Sequence, residues 1–335
     1  MACNLRCVYC YEGAGIISNE SLSDTTRHAI LQFIKKQALH RKVEQVSICL
    51  FGGEPLLGFK KHVGFLEEVK SFCDEEALSF ITTIVTNGTL VTQESLDLLV
   101  KFNCKQIQIT LDGTKAFHDT RRVTINGGGS FDETVRGIKL IKQDSRLHNP
   151  VIRINIDKTN IDNVQALLEY LRDENLTSCT IDFGIVKSTT AACASYSGNC
   201  FLEEELGELL FPMWELVERL GFNAADQRPM QRSMFCGLYS DASFTIAPSG
   251  DLYKCWDHVT DAQHRIGKLD ATGELVETTA NYFKWMTRNP YYIDECRACV
   301  YLPTCGGGCA AISFSQTGDY NKDSGGRIVL ASANW

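Results

Sequence analysis

A chain of 335 residues that is 44% apolar and 22% charged has an ordinary globular composition and is long enough for two domains. A formal net charge of −8 argues against nucleic acid as the main partner and leaves a short basic peptide open as substrate. No apolar run reaches ~18 residues, so no membrane span is expected. In chain order, the first feature is Cys3-Asn4-Leu5-Arg6-Cys7-Val8-Tyr9-Cys10, a C-x3-C-x2-C loop. Ser23 or Asp24 then caps a helix whose apolar stripe is Ile30, Phe33, Ile34 and Ala38. Strands are predicted over 46–51, 81–85, 107–111, 151–156 and 179–186. Helices are predicted over 63–73, 96–102, 131–141, 164–171 and 202–220. Strands alternating with helices imply parallel β–α units. Six helices against five strands leave the first helix without a strand before it, so the first strand is expected upstream of Met1.

Fifteen cysteines are unevenly spread: three in the first ten residues and six between Cys236 and Cys309. A large chain with clustered thiols and an odd total favours metal over a disulfide framework. Three thiolates at C-x3-C-x2-C can hold three irons of a 4Fe–4S cube and leave the fourth iron open, whereas four cysteines close a cluster. Cys49, Cys73, Cys104 and Cys179 fall in or beside apolar elements and read as buried thiols. Cys193 and Cys200 lie in the loop after the last strand and read as free thiols, with a reach to a cluster or the substrate as the weaker alternative.

The opening loop, with an aromatic before its third cysteine, resembles the signature of the radical S-adenosylmethionine (radical SAM) enzymes. The resemblance implies an α/β fold, a partial (β/α)6 barrel over residues 1–225 with its chemistry at the C-terminal ends of the strands. It also implies S-adenosylmethionine at a 4Fe–4S cluster held by Cys3, Cys7 and Cys10. Phe51-Gly52-Gly53-Glu54-Pro55 is by itself a turn. One strand after the Cys loop, Gly52, Gly53 and Glu54 resemble the motif that receives the cofactor's amino group. Thr86-Asn87-Gly88-Thr89 is by itself a polar turn; the resemblance points Asn87 at the ribose. It places the Thr110 hydroxyl near the cofactor, turns Asp112 to the same mouth, and matches Arg153 to a basic position that pairs with the cofactor carboxylate. The run Leu111-Asp112-Gly113 through Arg121-Arg122 resembles enzymes that modify peptides and proteins, with His118 in a structural role.

The later cysteines resemble the SPASM domain, a module of auxiliary iron–sulfur clusters, here over residues 226–335. The spacing alone also suits a structural zinc knuckle. Carried over, Cys236, Cys255 and Cys309 hold one auxiliary cluster and Cys296, Cys299 and Cys305 a second, each without an evident fourth cysteine. Asp257 reads as a surface carboxylate in a salt bridge, with a role as base as the weaker alternative. The resemblance implies a peptide or protein substrate, an external one-electron donor of flavodoxin or ferredoxin type, and a cytoplasmic, oxygen-poor setting. The expected reaction is thioether or carbon–carbon cross-linking of a ribosomally made peptide. Formylglycine formation in a sulfatase is the alternative, and a non-catalytic zinc or electron-transfer module is the alternative of another class.

Overall fold

A computed structural model describes residues 2–13, 22–202, 205–225, 236–259 and 261–322. Its main body is a parallel sheet with helices between successive strands. The strands are β2 (Gln45–Leu50), β3 (Ser79–Thr86), β4 (Cys104–Thr110), β6 (Val151–Ile156), β7 (Thr180–Ile185) and β8 (Asn223–Ala224), hydrogen-bonded in that order. Two short strands, β1 (Leu5–Cys7) and β5 (Arg122–Thr124), pair antiparallel beside it. This is the expected α/β architecture of a partial (β/α)6 barrel, with one difference in strand count. The sixth strand of the described sheet is Asn223–Ala224, which follows the last long helix and pairs parallel with β7. Two residues are too short for an alternation signal, so the sequence pattern passes over it.

Local chemistry explains the elements. The helix α1 (Asp24–Arg41) starts where the Ser23 hydroxyl accepts the Thr26 N–H at 3.0 Å. Thr92 and Ser95 form a reciprocal capping box at the start of α3 (Gln93–Lys101). The strand β6 occupies Val151–Ile156, the range its alternation predicts, and buries Ile152, Ile154 and Ile156. The helices α2 (Phe59–Glu75), α5 (Phe131–Gln143), α6 (Val164–Asp173) and α7 (Leu206–Arg219) lay apolar faces on the same core. Cys73, Cys104 and Cys179 are buried as expected, but Cys49 is exposed. On edge strand β2, Val46, Ile48 and Leu50 pack on the core, and the period of two turns Cys49 to the other face. The pattern also missed α4 (Lys115–Arg121), a helix of seven residues leading straight into β5.

The C-terminal part is built around a small antiparallel sheet of β9 (Thr245–Ile246), β10 (Asp251–Tyr253), β11 (Gly267–Leu269) and β12 (Leu275–Val276). Leu252, Ile266, Leu269, Trp285 and Tyr320 form a second apolar cluster that includes Ala29, Ile30 and Phe33 of α1. Leu31 and Ala38 of the same helix belong to the main core. Helix α1 is therefore apolar on two faces and joins the two bodies. The expected boundary falls where the described residues stop at Ala225, and residues 226–235 and the tail beyond Lys322 lie outside them. No described helix is long and apolar enough to cross a membrane.

Candidate metal centre and cofactor site

The Cys loop is anchored by Leu5, which is fully buried, and by the β1–β5 ladder. It closes with the Cys10 N–H donating to the Cys7 carbonyl at 3.2 Å, while Cys3 Sγ accepts the Leu5 N–H at 3.4 Å. Cys10 lies close enough to raise the pKa of both Cys3 and Cys7, and Cys3 that of Cys7. Burial pushes the Cys7 thiol up to about 12, and the Arg122 guanidinium opposes that rise. Three crowded, half-buried thiols suit a group that takes them as thiolates. Among the described residues no three metal-binding side chains converge on one ion. Separate corners of an iron–sulfur cube require no such convergence, so the trio fits the cluster.

A buried network supports the loop from below. The Tyr9 hydroxyl donates to Asp112 Oδ2 and accepts from Arg122 Nη1 at 2.7 Å and from Asn155 Nδ2 at 3.2 Å. The Arg121 guanidinium stacks 5.0 Å from the Tyr9 ring and pairs with both oxygens of Asp157 at 3.0 and 2.8 Å. Asp112 is wholly buried and accepts the Asn155 N–H at 2.9 Å. It therefore holds the loop from beneath instead of facing the mouth. Burial pushes its pKa up, against the pull of Arg122 and Arg121. His118 is buried and bridging, as expected: Nδ1 accepts the Asp112 N–H at 3.2 Å and Nε2 lies 3.0 Å from Ser130 Oγ. Burial holds its imidazole well below its ordinary pKa, so it stays neutral.

Gly52, Gly53, Glu54, Asn87 and Thr110 stand at the C-terminal ends of β2, β3 and β4, and Arg153, mid-strand on β6, is level with Thr110. Gly52 and Gly53 have φ of +98° and +56°. A Cβ on Gly53 would stand 2.1 Å from the Ala2 carbonyl oxygen, so glycine here lets the turn abut the Cys loop. The Gly53 N–H donates to Glu12 at 2.6 Å and the Glu54 N–H to the Ala2 carbonyl at 2.9 Å. The Glu54 carboxylate is 2% exposed and accepts from Leu56 N–H, Thr86 Oγ1 and Asn87 N–H at 2.9, 2.7 and 2.7 Å. Asn87 Nδ2 donates to Asn4 Oδ1 at 2.8 Å, tying β3 to the Cys loop. Thr110 is buried and opposite Arg153 in the β4–β6 register. Arg153 ion-pairs with Asp182 and donates to Asn155 Oδ1 at 3.2 Å. Its guanidinium fits because β7 carries Gly184 there: a Cβ would lie 2.2 Å from Arg153 Nε.

The second cysteine set meets the same mouth. The Cys255 thiol feels Cys309 and Cys236, so the expected first auxiliary trio lies together. Tyr11, half-buried, feels both Cys10 and Cys255, which places it between the two sets. Cys299 N–H donates to Cys296 carbonyl at 3.0 Å, and Cys305 N–H to Tyr301 carbonyl at 2.8 Å. Asp257 is half-buried among Lys187, Arg153, Glu12 and Tyr11, not in a surface salt bridge, and burial pushes its pKa up. Trp256, half-exposed, lies 6.0 Å from the Phe51 ring at the lip. Behind the trio, Lys254 is 1% exposed and donates to the Ser240 and Ser243 carbonyls, both at 2.6 Å. Its ammonium sits 4.5 Å over the Phe244 ring, and burial lowers its pKa to about 8. Cys193 is buried, with Sγ 3.4 Å from Thr190 Oγ1, whose hydroxyl donates to the Tyr11 carbonyl at 2.8 Å. Cys200 is half-buried, with Sγ 3.8 Å from the Tyr196 carbonyl.

Sequence reasoning gave no role to Glu12, Asp157 and Tyr196, and took Tyr9 only as the aromatic of the Cys loop and Arg122 only as the end of a family-like run. Only the adjacent Arg121-Arg122 pair in an otherwise ordinary segment hinted at this network.

A family model described as the Radical SAM superfamily matches residues 1–171. A cysteine-type anaerobic sulfatase-maturating enzyme of Clostridium novyi is 24% identical over 92% of this chain and 84% of its own length. The radical SAM cyclopropyl synthase TigE of Paramaledivibacter caminithermalis is 21% identical over 92% of this chain and 65% of its own. Among solved structures, native anSMEcpe with bound AdoMet and the Kp18Cys peptide superposes with a TM-score of 0.73 at 18% identity. The match covers 95% of this chain and 90% of that one.

Proposed function

This chain belongs to the radical SAM superfamily, and on that premise we propose that it modifies a peptide, forming a thioether or carbon–carbon cross-link in a ribosomally made substrate. It is an enzyme of a family that uses a 4Fe–4S cluster and S-adenosylmethionine. When bound, that pair would convert one electron from an outside donor into a 5′-deoxyadenosyl radical able to take hydrogen from an unactivated C–H bond. The observation that carries the reading is Tyr11, lodged between Cys10 and Cys255, because it sets two cysteine groups on one mouth.

Cys3, Cys7 and Cys10 hold the open cluster. Gly52, Gly53 and Glu54 shape the amino-group site, Asn87 and Thr110 border the nucleoside, and Arg153 faces the carboxylate. Residues 1–225 form the radical SAM core and 226–335 a SPASM domain. There Cys236, Cys255 and Cys309 hold one auxiliary cluster and Cys296, Cys299 and Cys305 a second. An open iron at the Cys236, Cys255 and Cys309 cluster would leave a corner for a substrate cysteine, which favours the thioether product. Asp257, half-buried beside Arg153 and Lys187, takes the proton that the oxidised substrate releases. Trp256 and Phe51 line the peptide's approach. The electron comes from a flavodoxin or ferredoxin in an oxygen-poor cytoplasm. The likeness to a sulfatase-maturating enzyme favours a second reading, conversion of a cysteine or serine to formylglycine. Membership of an enzyme family weighs against a non-catalytic zinc or electron-transfer module.

Anaerobically reconstituted protein, reduced with dithionite, should form 5′-deoxyadenosine, and Cys7→Ala should form none. A co-expressed peptide carried by the neighbouring coding sequence should lose two hydrogens per cross-link. An aldehyde in the product, trapped with an aminooxy reagent, would instead establish the formylglycine reading, since a serine oxidised to formylglycine also loses two hydrogens. A wild-type protein with full clusters and no cofactor cleavage would overturn both.

A further inference from the structure

One buried charge beneath the Cys loop has no part in the reaction as read above. Arg122 stands directly opposite Cys7 in the antiparallel β1–β5 ladder. Residues so paired turn their side chains to the same face, with Cβ atoms ~4.5–5.5 Å apart. Arg122 is 7% exposed. One end of its guanidinium is occupied: Nη1 donates to the Tyr9 hydroxyl at 2.7 Å and lies 3.9 Å from Asp112 Oδ2. The Nε–H is buried and has no partner among the described residues. An unmet buried donor on a charged group is costly, and folded proteins rarely leave one. Arg121 and Asp157 offset each other, and Asp112 offsets part of the Arg122 charge. Arg121 is bound to Asp157 through two hydrogen bonds, and Asp112 lies below Tyr9 and both arginines.

We propose that Arg122 is a positioning residue for the N-terminal iron–sulfur cluster, donating its spare N–H to a sulfur at the Cys7 corner and offsetting part of the cluster's negative charge. The inference rests on the family reading and goes beyond the cysteines that the family signature provides. Hydrogen bonds to sulfur and nearby charge are the protein's main means of setting an iron–sulfur potential. Reduction adds a negative charge to the cluster, so a buried guanidinium stabilises the reduced form. Loss of Arg122 therefore moves the midpoint potential downward and makes the cluster harder to reduce.

The test is an EPR-monitored redox titration of the reconstituted full chain, with iron and sulfide content measured beside it. The N-terminal cluster is identified by the change in its signal when S-adenosylmethionine is added. Arg122→Met, which loses both charge and donor, should load iron and show a lower midpoint potential than wild type. Arg122→Lys, which keeps the charge but not the Nε–H, should fall between them, and Arg122→Gln should lie nearer Arg122→Met. If every variant that loads the cluster keeps the wild-type potential and signal, the proposal fails. It fails equally if all three variants lose the N-terminal iron while keeping the auxiliary iron, because Arg122 is then only a fold residue. Failure of the family reading would look different: wild-type protein would show no cofactor-dependent EPR change and no 5′-deoxyadenosine.

Discussion

The two cysteine groups present their thiols by different means. In the N-terminal loop, the cysteines lie within eight residues, but their support comes from far along the chain. Tyr9 is bound by Arg122, 113 residues away, and by Asn155, 146 residues away. Cys236, Cys255 and Cys309 come from separate segments, yet each sits at the start of its own helical turn. Their first turns close locally, Tyr239 N–H on Cys236 carbonyl at 3.1 Å and His258 N–H on Cys255 carbonyl at 3.2 Å. One group is local in sequence and global in support; the other is the reverse. Each has a buried cation behind it, Arg122 for the first and Lys254 for the second. Placing thiolates together in a poorly solvated site calls for compensating charge, whichever fold presents them.

If the groups are separately supported, removing one should spare the other. Cys255→Ala should lose the iron of its auxiliary cluster and all peptide product while still cleaving S-adenosylmethionine without coupling. Iron analysis and 5′-deoxyadenosine assay decide it; loss of cofactor cleavage in Cys255→Ala would join the two groups into one unit. A smaller blow falls on the contact between Gly53 and the Cys loop. With positive φ and a Cβ 2.1 Å from the Ala2 oxygen, Gly53→Ala should cost about 2–4 kcal/mol from left-handed strain plus overpacking. Chemical denaturation should register that loss, with the N-terminal iron released before the auxiliary iron. A wild-type denaturation midpoint would show that the loop tolerates a displaced turn.

The smallest effect is a pH dependence on the N-terminal side. His118 is held neutral by burial, its folded pKa well below the ordinary 6.5. Below that ordinary value the unfolded chain binds a proton that the folded chain refuses, so stability is present above pH 6.5 and falls as pH drops. The slope from this group is at most about 1.4 kcal/mol per pH unit. His118→Gln should flatten the fall in melting temperature between pH 7.5 and 5.5. An unchanged slope would assign acid sensitivity to other groups.

The alternation of β6 was readable to the residue, and the Ser23 cap and the apolar stripe of α1 were readable as well, because short-range sterics and one buried face set them. Cys3, Cys7 and Cys10 were readable for the same reason: their spacing is itself the geometry. The short strands β1, β5 and β8 left no pattern, since two or three residues carry no period. Asp257 was misplaced at the surface because nothing beside it in the chain brings Lys187, Arg153 and Glu12 around it.

By itself, then, the order of residues determined an alternating α/β body, an opening trio of thiols and a second cysteine-rich segment. Only the folded chain decided that Arg122 lies across from Cys7, that Glu54 is spent on Thr86 and Asn87, and that Tyr11 joins the two cysteine groups. Periodicity and spacing act over a few residues, whereas these contacts exist only once the strands are in register and buried charges must find partners within reach.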